Sequence, residues 1–137
     1  MTSQELADKI AALIFNKKGY DVKILDLRNI TTIADFFIIF SADSDIQVRS
    51  ISDEIDKNLR EEGIKNWHKE GLKALNWVLM DYVDVVVHIF KKESRDFYNL
   101  EKLWGDAPLV EAIDPLLKAT KKAVDKKPAR KRTKSNE

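Results

Sequence analysis

The stretch richest in β-branched and aromatic residues, Asn76 to Phe90, reads N-W-V-L-M-D-Y-V-D-V-V-V-H-I-F. Its apolar residues are mostly β-branched or aromatic, and Ala, Glu, Lys and Arg are missing. That composition suits a pleated surface better than a helix. About fifteen residues is more than one ordinary strand needs, and the polar break falls at Asp81–Asp84. The pattern therefore predicts two strands, Asn76–Asp81 and Asp84–Phe90, joined by a tight reversal. Three consecutive valines in the second strand predict burial on both faces at the centre of a sheet. In the first, Trp77, Leu79 and Asp81 point one way while Val78, Met80 and Tyr82 point the other. A face left open by the helices would show a large aromatic beside a carboxylate, as a protein-binding surface does. The alternative is that both rings are core, since large aromatics are usually well buried.

The remaining elements follow in chain order. Thr2 with Glu5 has the spacing of a capping box. Leu6, Ile10, Leu13 and Ile14 then form one stripe of an amphipathic helix, with Gly19 expected to end it in a left-handed cap. Asp21–Leu27 reads as a strand, Arg28–Thr32 as a polar connection, and Ala34–Ala42 as a buried strand. Ser44 and Gln47 suggest a second capping box. Val48, Ile51, Ile55 and Leu59 mark the inward stripe of a helix running to Glu62, with Gly63 as its stop. Ile64–His68 reads as a short strand and Lys69–Ala74 as a loop. Beyond Phe90, Lys92 or Ser94 opens a short helix holding Phe97, Tyr98, Leu100, Leu103 and Trp104, with Gly105 as its cap. Asp106–Asp114 reads as irregular, and Leu116–Val124 as a final partial helix. This order predicts an α/β fold, a mixed five-stranded sheet packed with helices.

At 137 residues the chain suits one domain with a core large enough to need no staples. The absence of cysteine excludes disulfides and thiolate chemistry. No apolar run reaches the ~18 residues of a membrane span, and the polar N-terminus does not read as a signal peptide. A soluble cytoplasmic protein is the expectation. The net charge of +1 conceals a division: residues 1–114 sum to −6 and residues 115–137 to +7. An acidic body thus precedes a basic tail, which reads either as an arm for nucleic-acid phosphates or as a solubilising terminus.

No catalytic constellation stands out. His68 and His88 are far apart in sequence with no third ligand spaced for zinc, and a strand histidine such as His88 is more often a hydrogen-bonded core residue than a ligand. The four scattered glycines make no phosphate loop. The best enzymatic alternative is metal-dependent nucleotidyl transfer by Asp26, Asp81 and Asp84. Against it, Asp81 and Asp84 would face opposite sides of one strand, and no glycine lies near Ser41–Ser44 to seat a triphosphate.

The stretch W-V-L-M-D-Y-V-D-V-V-V-H-I-F at 77–90, followed by E-S-R-D-F-Y-N-L-E-K-L-W-G-D-A at 93–107, closely resembles the ribosomal silencing factor family, also called the RsfS or Iojap family. V-K-I-L-D-L-R at 22–28, A-D-F-F-I-I-F-S-A at 34–42 and S-D-I-Q-V-R-S-I-S-D-E-I at 44–55 agree with it. The likeness covers about residues 3–107, which places a silencing-factor domain at 1–108 and an extension at 109–137, partly helical and then basic.

The resemblance implies a nucleotidyltransferase-like topology without the active site, no cofactor and no enzymatic activity. It implies a repressor of translation that binds the large ribosomal subunit through ribosomal protein fourteen and blocks subunit joining. Free members of the family often form homodimers, and the basic tail would be placed to touch ribosomal RNA. Carried onto matching positions, the docking strip is Trp77, Leu79, Met80, Asp81 and Tyr82, with Asp84 and His88 continuing the pattern. The sequence departs from the family at Val83, where glycine is common. A β-branched residue resists positive φ, so another turn or a longer loop is expected. Ala42 replaces a frequent glycine.

Overall fold

Thr2 caps the first helix reciprocally. Its Oγ1 accepts from the Glu5 backbone N–H at 3.1 Å, and the Glu5 carboxylate accepts from the Thr2 N–H at 2.8 Å. This satisfies two donors that a helix start otherwise leaves unpaired. The computed structural model describes residues 1–113, and within them the elements are α1 (Ser3–Asn16), β1 (Tyr20–Asp26), β2 (Phe36–Ala42), α2 (Asp45–Glu61), β3 (His68–Glu70), β4 (Trp77–Asp81), β5 (Val85–Lys91), α3 (Lys92–Tyr98), α4 (Leu100–Leu103) and β6 (Leu109–Glu111). The expected helix at Leu116–Val124 and the basic tail lie outside the described residues.

The strands form one mixed sheet in the order β3-β4-β5-β2-β1-β6. Among the described residues only β2 and β5 pair in parallel, from Phe36 opposite Val85 to Ala42 opposite Lys91. Both strands are buried along their length, apart from the last residue of β5, which is what their unbroken apolar runs require. One face of the sheet is covered by α1 and α2. Leu6, Ile10 and Ile14 from the first helix, and Val48, Ile51, Ile55 and Leu59 from the second, pack with Ile38, Phe40, Val78, Met80, Val87 and Ile89. Complete burial of each such side chain is worth about 1.5–3 kcal/mol. The other face carries Leu25, Phe37, Ile39, Val86 and Phe90 with Leu100 and Ala107, while Trp77, Leu79 and Trp104 are only partly buried at its margin.

The α/β architecture with a mixed sheet is as expected, but among the described residues the sheet has six strands and not five. Leu109–Glu111, read as irregular, pairs with β1 through Lys23, Ile24 and Leu25, so the sheet continues past residue 108. Three exposed residues carry too little periodicity to announce a strand. The short strand before β4 begins at His68, where the sequence reading ended it. Its register against β4, His68 opposite Asp81 and Glu70 opposite Leu79, is set by β4 itself.

Two helix ends also differ. The left-handed residue after α1 is Lys18, at φ 69°, not Gly19. Gly19 answers a spatial need instead: a Cβ there would lie 2.4 Å from Ile14 Cγ2 and 3.0 Å from the Phe40 ring. At α2, Ser44 Oγ accepts from the Gln47 N–H at 3.1 Å as expected. The Gln47 carboxamide, however, accepts from Asp43 N–H at 2.7 Å and donates to the Lys17 and Lys18 carbonyls. Gln47 thus ties the start of one helix to the end of the other. The expected single helix after β5 is broken by Asn99, which sits at φ 45° and separates α3 from α4. Asparagine tolerates that conformation better than most residues.

The β4–β5 turn is the largest departure from expectation. Val83 adopts φ 74° in a tight reversal. Asp84 N–H donates to the Tyr82 carbonyl and Tyr82 N–H to the Val85 carbonyl, each at 2.9 Å. Val83 N–H donates to Asp81 Oδ1 at 2.7 Å. These bonds hold a β-branched residue where its Cβ costs about 1–2 kcal/mol. Val83→Gly should relieve that cost, less about 0.5–1 kcal/mol for the freer unfolded chain. Urea unfolding is expected to show a net gain of about 0.5–1 kcal/mol. A loss of stability would mean that the exposed Val83 side chain contributes contacts of its own.

Candidate partner-docking surface

β4 divides by alternation. Val78 and Met80 are fully buried against the helices, and Tyr82, just past the strand, is buried on the same side. Met80 Sδ accepts from Ser52 Oγ of α2 at 3.5 Å. Burial and the nearby Asp56 carboxylate push the Tyr82 phenol well above its ordinary range. Trp77, Leu79 and Asp81 project from the other face and are half-buried. Asp84 is exposed in the turn, and its backbone carbonyl accepts from the Asp35 and Phe36 N–H groups.

Of the seven residues singled out from the sequence, the surface therefore brings together Trp77, Leu79 and Asp81, with Asp84 at its end. Met80 and Tyr82 lie in the core beneath it. His88 shares the Trp77 face, because Leu79 and His88 are register partners. It is nonetheless only 3% exposed.

The Trp77 indole is packed on three sides. It stacks on Phe90 at 5.0 Å between centroids, meets Tyr98 at 4.7 Å and approaches His88 at 5.9 Å. Its Nε1–H donates to His88 Nδ1 at 3.1 Å. His88 in turn lies 4.6 Å from Phe37, which receives Trp104 edge-on at 5.5 Å. Such pairs contribute about 0.5–1.5 kcal/mol beyond burial. Behind the strip, Gly71 has φ 88°, and a Cβ there would fall 1.9 Å from the Trp77 carbonyl oxygen. The loop before β4 can cross so closely only at a glycine.

Two helices flank this face. Arg95 of α3, itself buried, donates to the Asp21 carbonyl at 2.6 Å, to Ser41 Oγ at 2.9 Å and to the Glu101 carboxylate at 2.7 Å. It thereby fixes α3 and α4 to the sheet. Phe97 is 80% exposed, and Tyr98 is exposed beside Trp77. At the opposite margin Trp67 is 76% exposed, and its backbone N–H donates to the Asp81 carbonyl at 2.7 Å. Neither Trp67 nor the Phe97–Tyr98 pair was singled out for docking by sequence. Trp67 stands as a lone aromatic in a polar stretch, which is the one signal it offers.

The charge on this margin is mainly acidic. Glu70, Asp81 and Asp84 lie along it, His68 pairs with Glu70 at 2.5 Å, and Lys69 turns away to Asp56 at 3.2 Å. A nucleotidyl-transfer site is not assembled. Asp26 and Asp81 sit on β1 and β4 with two strands between them, a separation of about 14 Å at ~4.8 Å per strand. Two catalytic metals need to be about 3.5–4 Å apart. Asp26 is also clamped by Arg28 at 2.9 and 2.7 Å, which holds its carboxyl below the usual range. Among the described residues no three His, Asp or Glu side chains gather as a metal site, and no helix is long and apolar enough to cross a membrane.

Comparison with known proteins points in one direction. A profile of the family described as "Ribosomal silencing factor during starvation" matches residues 1–137. A protein of Halalkalibacterium halodurans named ribosomal silencing factor RsfS is 46% identical over 111 residues, covering 81% of this chain and 95% of that one. The chloroplastic protein Iojap of Zea mays is 38% identical over 97 residues, covering 69% of this chain and 41% of that one. A crystal structure of a Chromobacterium violaceum protein superimposes with a TM-score of 0.74 at 32% identity, covering 82% of this chain and 94% of that one. One from Bacillus halodurans gives 0.71 at 41% identity, covering 80% and 99%.

Burial pushes the His88 imidazole down to about 3, whereas in the unfolded chain it titrates near 6.5. Its folded-state value is depressed, so its contribution is fully present above about pH 6.5 and is lost as pH falls toward 3. Between pH 7.5 and 5, wild type should lose about 2 kcal/mol more unfolding free energy than His88→Phe. Denaturant titrations of both at the two pH values check this. Parallel losses would mean that His88 titrates alike folded and unfolded.

Proposed function

The chain belongs to the ribosomal silencing factor family, and from that premise we propose that it represses translation by docking its β4 face on the large ribosomal subunit and blocking subunit joining. The names borne by the family and its relatives describe silencing factors, not enzymes. The observation that carries the docking reading is the exposed side of β4. Trp77, Leu79 and Asp81 stand half-buried on a rigid sheet, beside exposed Tyr98 and Phe97 and a row of carboxylates.

An apolar centre rimmed by acidic groups suits a partner with its own apolar patch among basic side chains. Charge then guides encounter and register while the rings supply the buried area. Ribosomal protein fourteen, a basic protein on the face that meets the small subunit, is the partner proposed. A body seated there would stop joining by occupying space, with no chemical step. Met80 and Tyr82 serve the strip from beneath by fixing β4 against α2. The free protein is proposed to act in the cytoplasm and to self-associate through the same apolar margin. Its basic tail, outside the described residues, is proposed to add phosphate contacts to ribosomal RNA.

Sucrose-gradient sedimentation with separated and mixed subunits tests the reading. Co-migration with the large subunit and a smaller joined-ribosome peak are expected; binding to neither subunit would remove the function and leave the fold. Leu79→Glu should weaken large-subunit binding about tenfold or more with little change in melting temperature, because it is a half-buried margin residue. Asp81 requires a finer substitution, since Oδ1 also accepts from Val83 N–H. Asp81→Asn keeps an acceptor for the turn and removes the charge, so it should slow association, most visibly at low salt. Equal rates for both forms across salt concentrations would assign Asp81 to the turn alone.

A further inference from the structure

On the docking reading above, we propose that His88 is a positioning residue whose buried Nδ1 fixes the Trp77 indole in the orientation that meets the partner. The indole N–H can only donate, so Nδ1 accepts its hydrogen bond at 3.1 Å and the imidazole proton sits on Nε2. That Nε2 is buried and has no hydrogen-bond partner among the described residues. A polar atom left so is costly, and the surroundings of the ring, Phe37, Trp77 and its register neighbours Leu79 and Ile39, are apolar or aromatic. An apolar ring would pack there without that cost. What the imidazole adds is one acceptor aimed at Trp77.

The need for that acceptor follows from how Trp77 is held. Stacking on Phe90 and contact with Tyr98 restrain the ring to a plane but tolerate sliding and rotation, since the outer torsion of a tryptophan is broad. A hydrogen bond is directional and admits one setting. A half-exposed aromatic already fixed before encounter loses less freedom on binding, which favours affinity. His88 thus acts on the partner through Trp77 and not by contact, consistent with its burial.

The test pairs two readouts in the full chain. His88→Phe keeps a ring and removes the acceptor. Exchange of the assigned Trp77 indole proton should then accelerate at least tenfold, and large-subunit affinity should fall about tenfold. Trp77→Phe removes the donor and should cost a similar factor; in that background His88→Phe should have no further effect on affinity. His88→Asn, which returns an acceptor near the Nδ1 position, should recover part of the indole protection. Unchanged indole exchange in His88→Phe, or an equal affinity loss with and without the Trp77 donor, would overturn the proposal. Should His88→Phe fail to fold, Trp77→Phe with full affinity would overturn it equally. If wild type binds no ribosomal subunit the docking reading fails, while the exchange comparison still decides whether His88 holds the ring.

Discussion

The parallel pairing of β2 with β5, register-matched from Phe36 opposite Val85 to Ala42 opposite Lys91, is the constraint from which the other elements take their positions. Both strands are buried on both faces, so each needs a layer above and a layer below. A parallel neighbour also demands a long crossover. The chain between them supplies α2, which covers one face, and then β3 and β4, which extend the sheet beyond β5. Among the described residues, the face away from α1 and α2 receives only the short helices α3 and α4. That shortfall leaves Trp77 and Leu79 at the margin of the second core instead of inside it. The candidate docking surface is therefore where an asymmetrically covered sheet runs out of cover.

The same asymmetry sorts the side chains of one strand into two roles. A shift of one residue in the register of β4 would send Trp77, Leu79 and Asp81 into the helix-covered core and expose Val78 and Met80. The register is held by β5 on one side and β3 on the other. The bond from Val83 N–H to Asp81 Oδ1 adds a local constraint at the turn. Asp81 thus has one oxygen in the architecture while its charge contributes to the acidic margin. Trp77 has the corresponding double position, with its ring face in the core cluster and part of its surface open.

What the sequence made legible was set by how far the signal extends. Val85–Val87 and Phe36–Phe40 announce central strands because burial on both faces leaves no room for polar residues. The alternation in Trp77–Tyr82 correctly separated the two faces. Short or partner-defined features were not legible: Leu109–Glu111 becomes a strand only because β1 offers it an open edge, and β3 takes its limits from β4. At Val83 local propensity argued against positive φ, and the hydrogen bonds of the turn overrode it. The candidate docking margin was half visible. Trp77 and Asp81 could be read from one strand, whereas Trp67, Phe97 and Tyr98 join it only once β3 and α3 are placed beside it. The Trp77–His88 bond required the hairpin register, in which His88 stands opposite Leu79.

Backbone hydrogen exchange of the protein with and without the large ribosomal subunit would show whether the β4 face is the docking face, because it reports where the partner sits without altering a residue. New protection is expected at the exchanging amides of Trp67–Glu70, the Tyr82–Asp84 turn and the Phe97–Leu103 region, with α1 and the outer face of α2 unchanged. Protection confined to α1, α2 or β6, with none along the β4 margin, would contradict it.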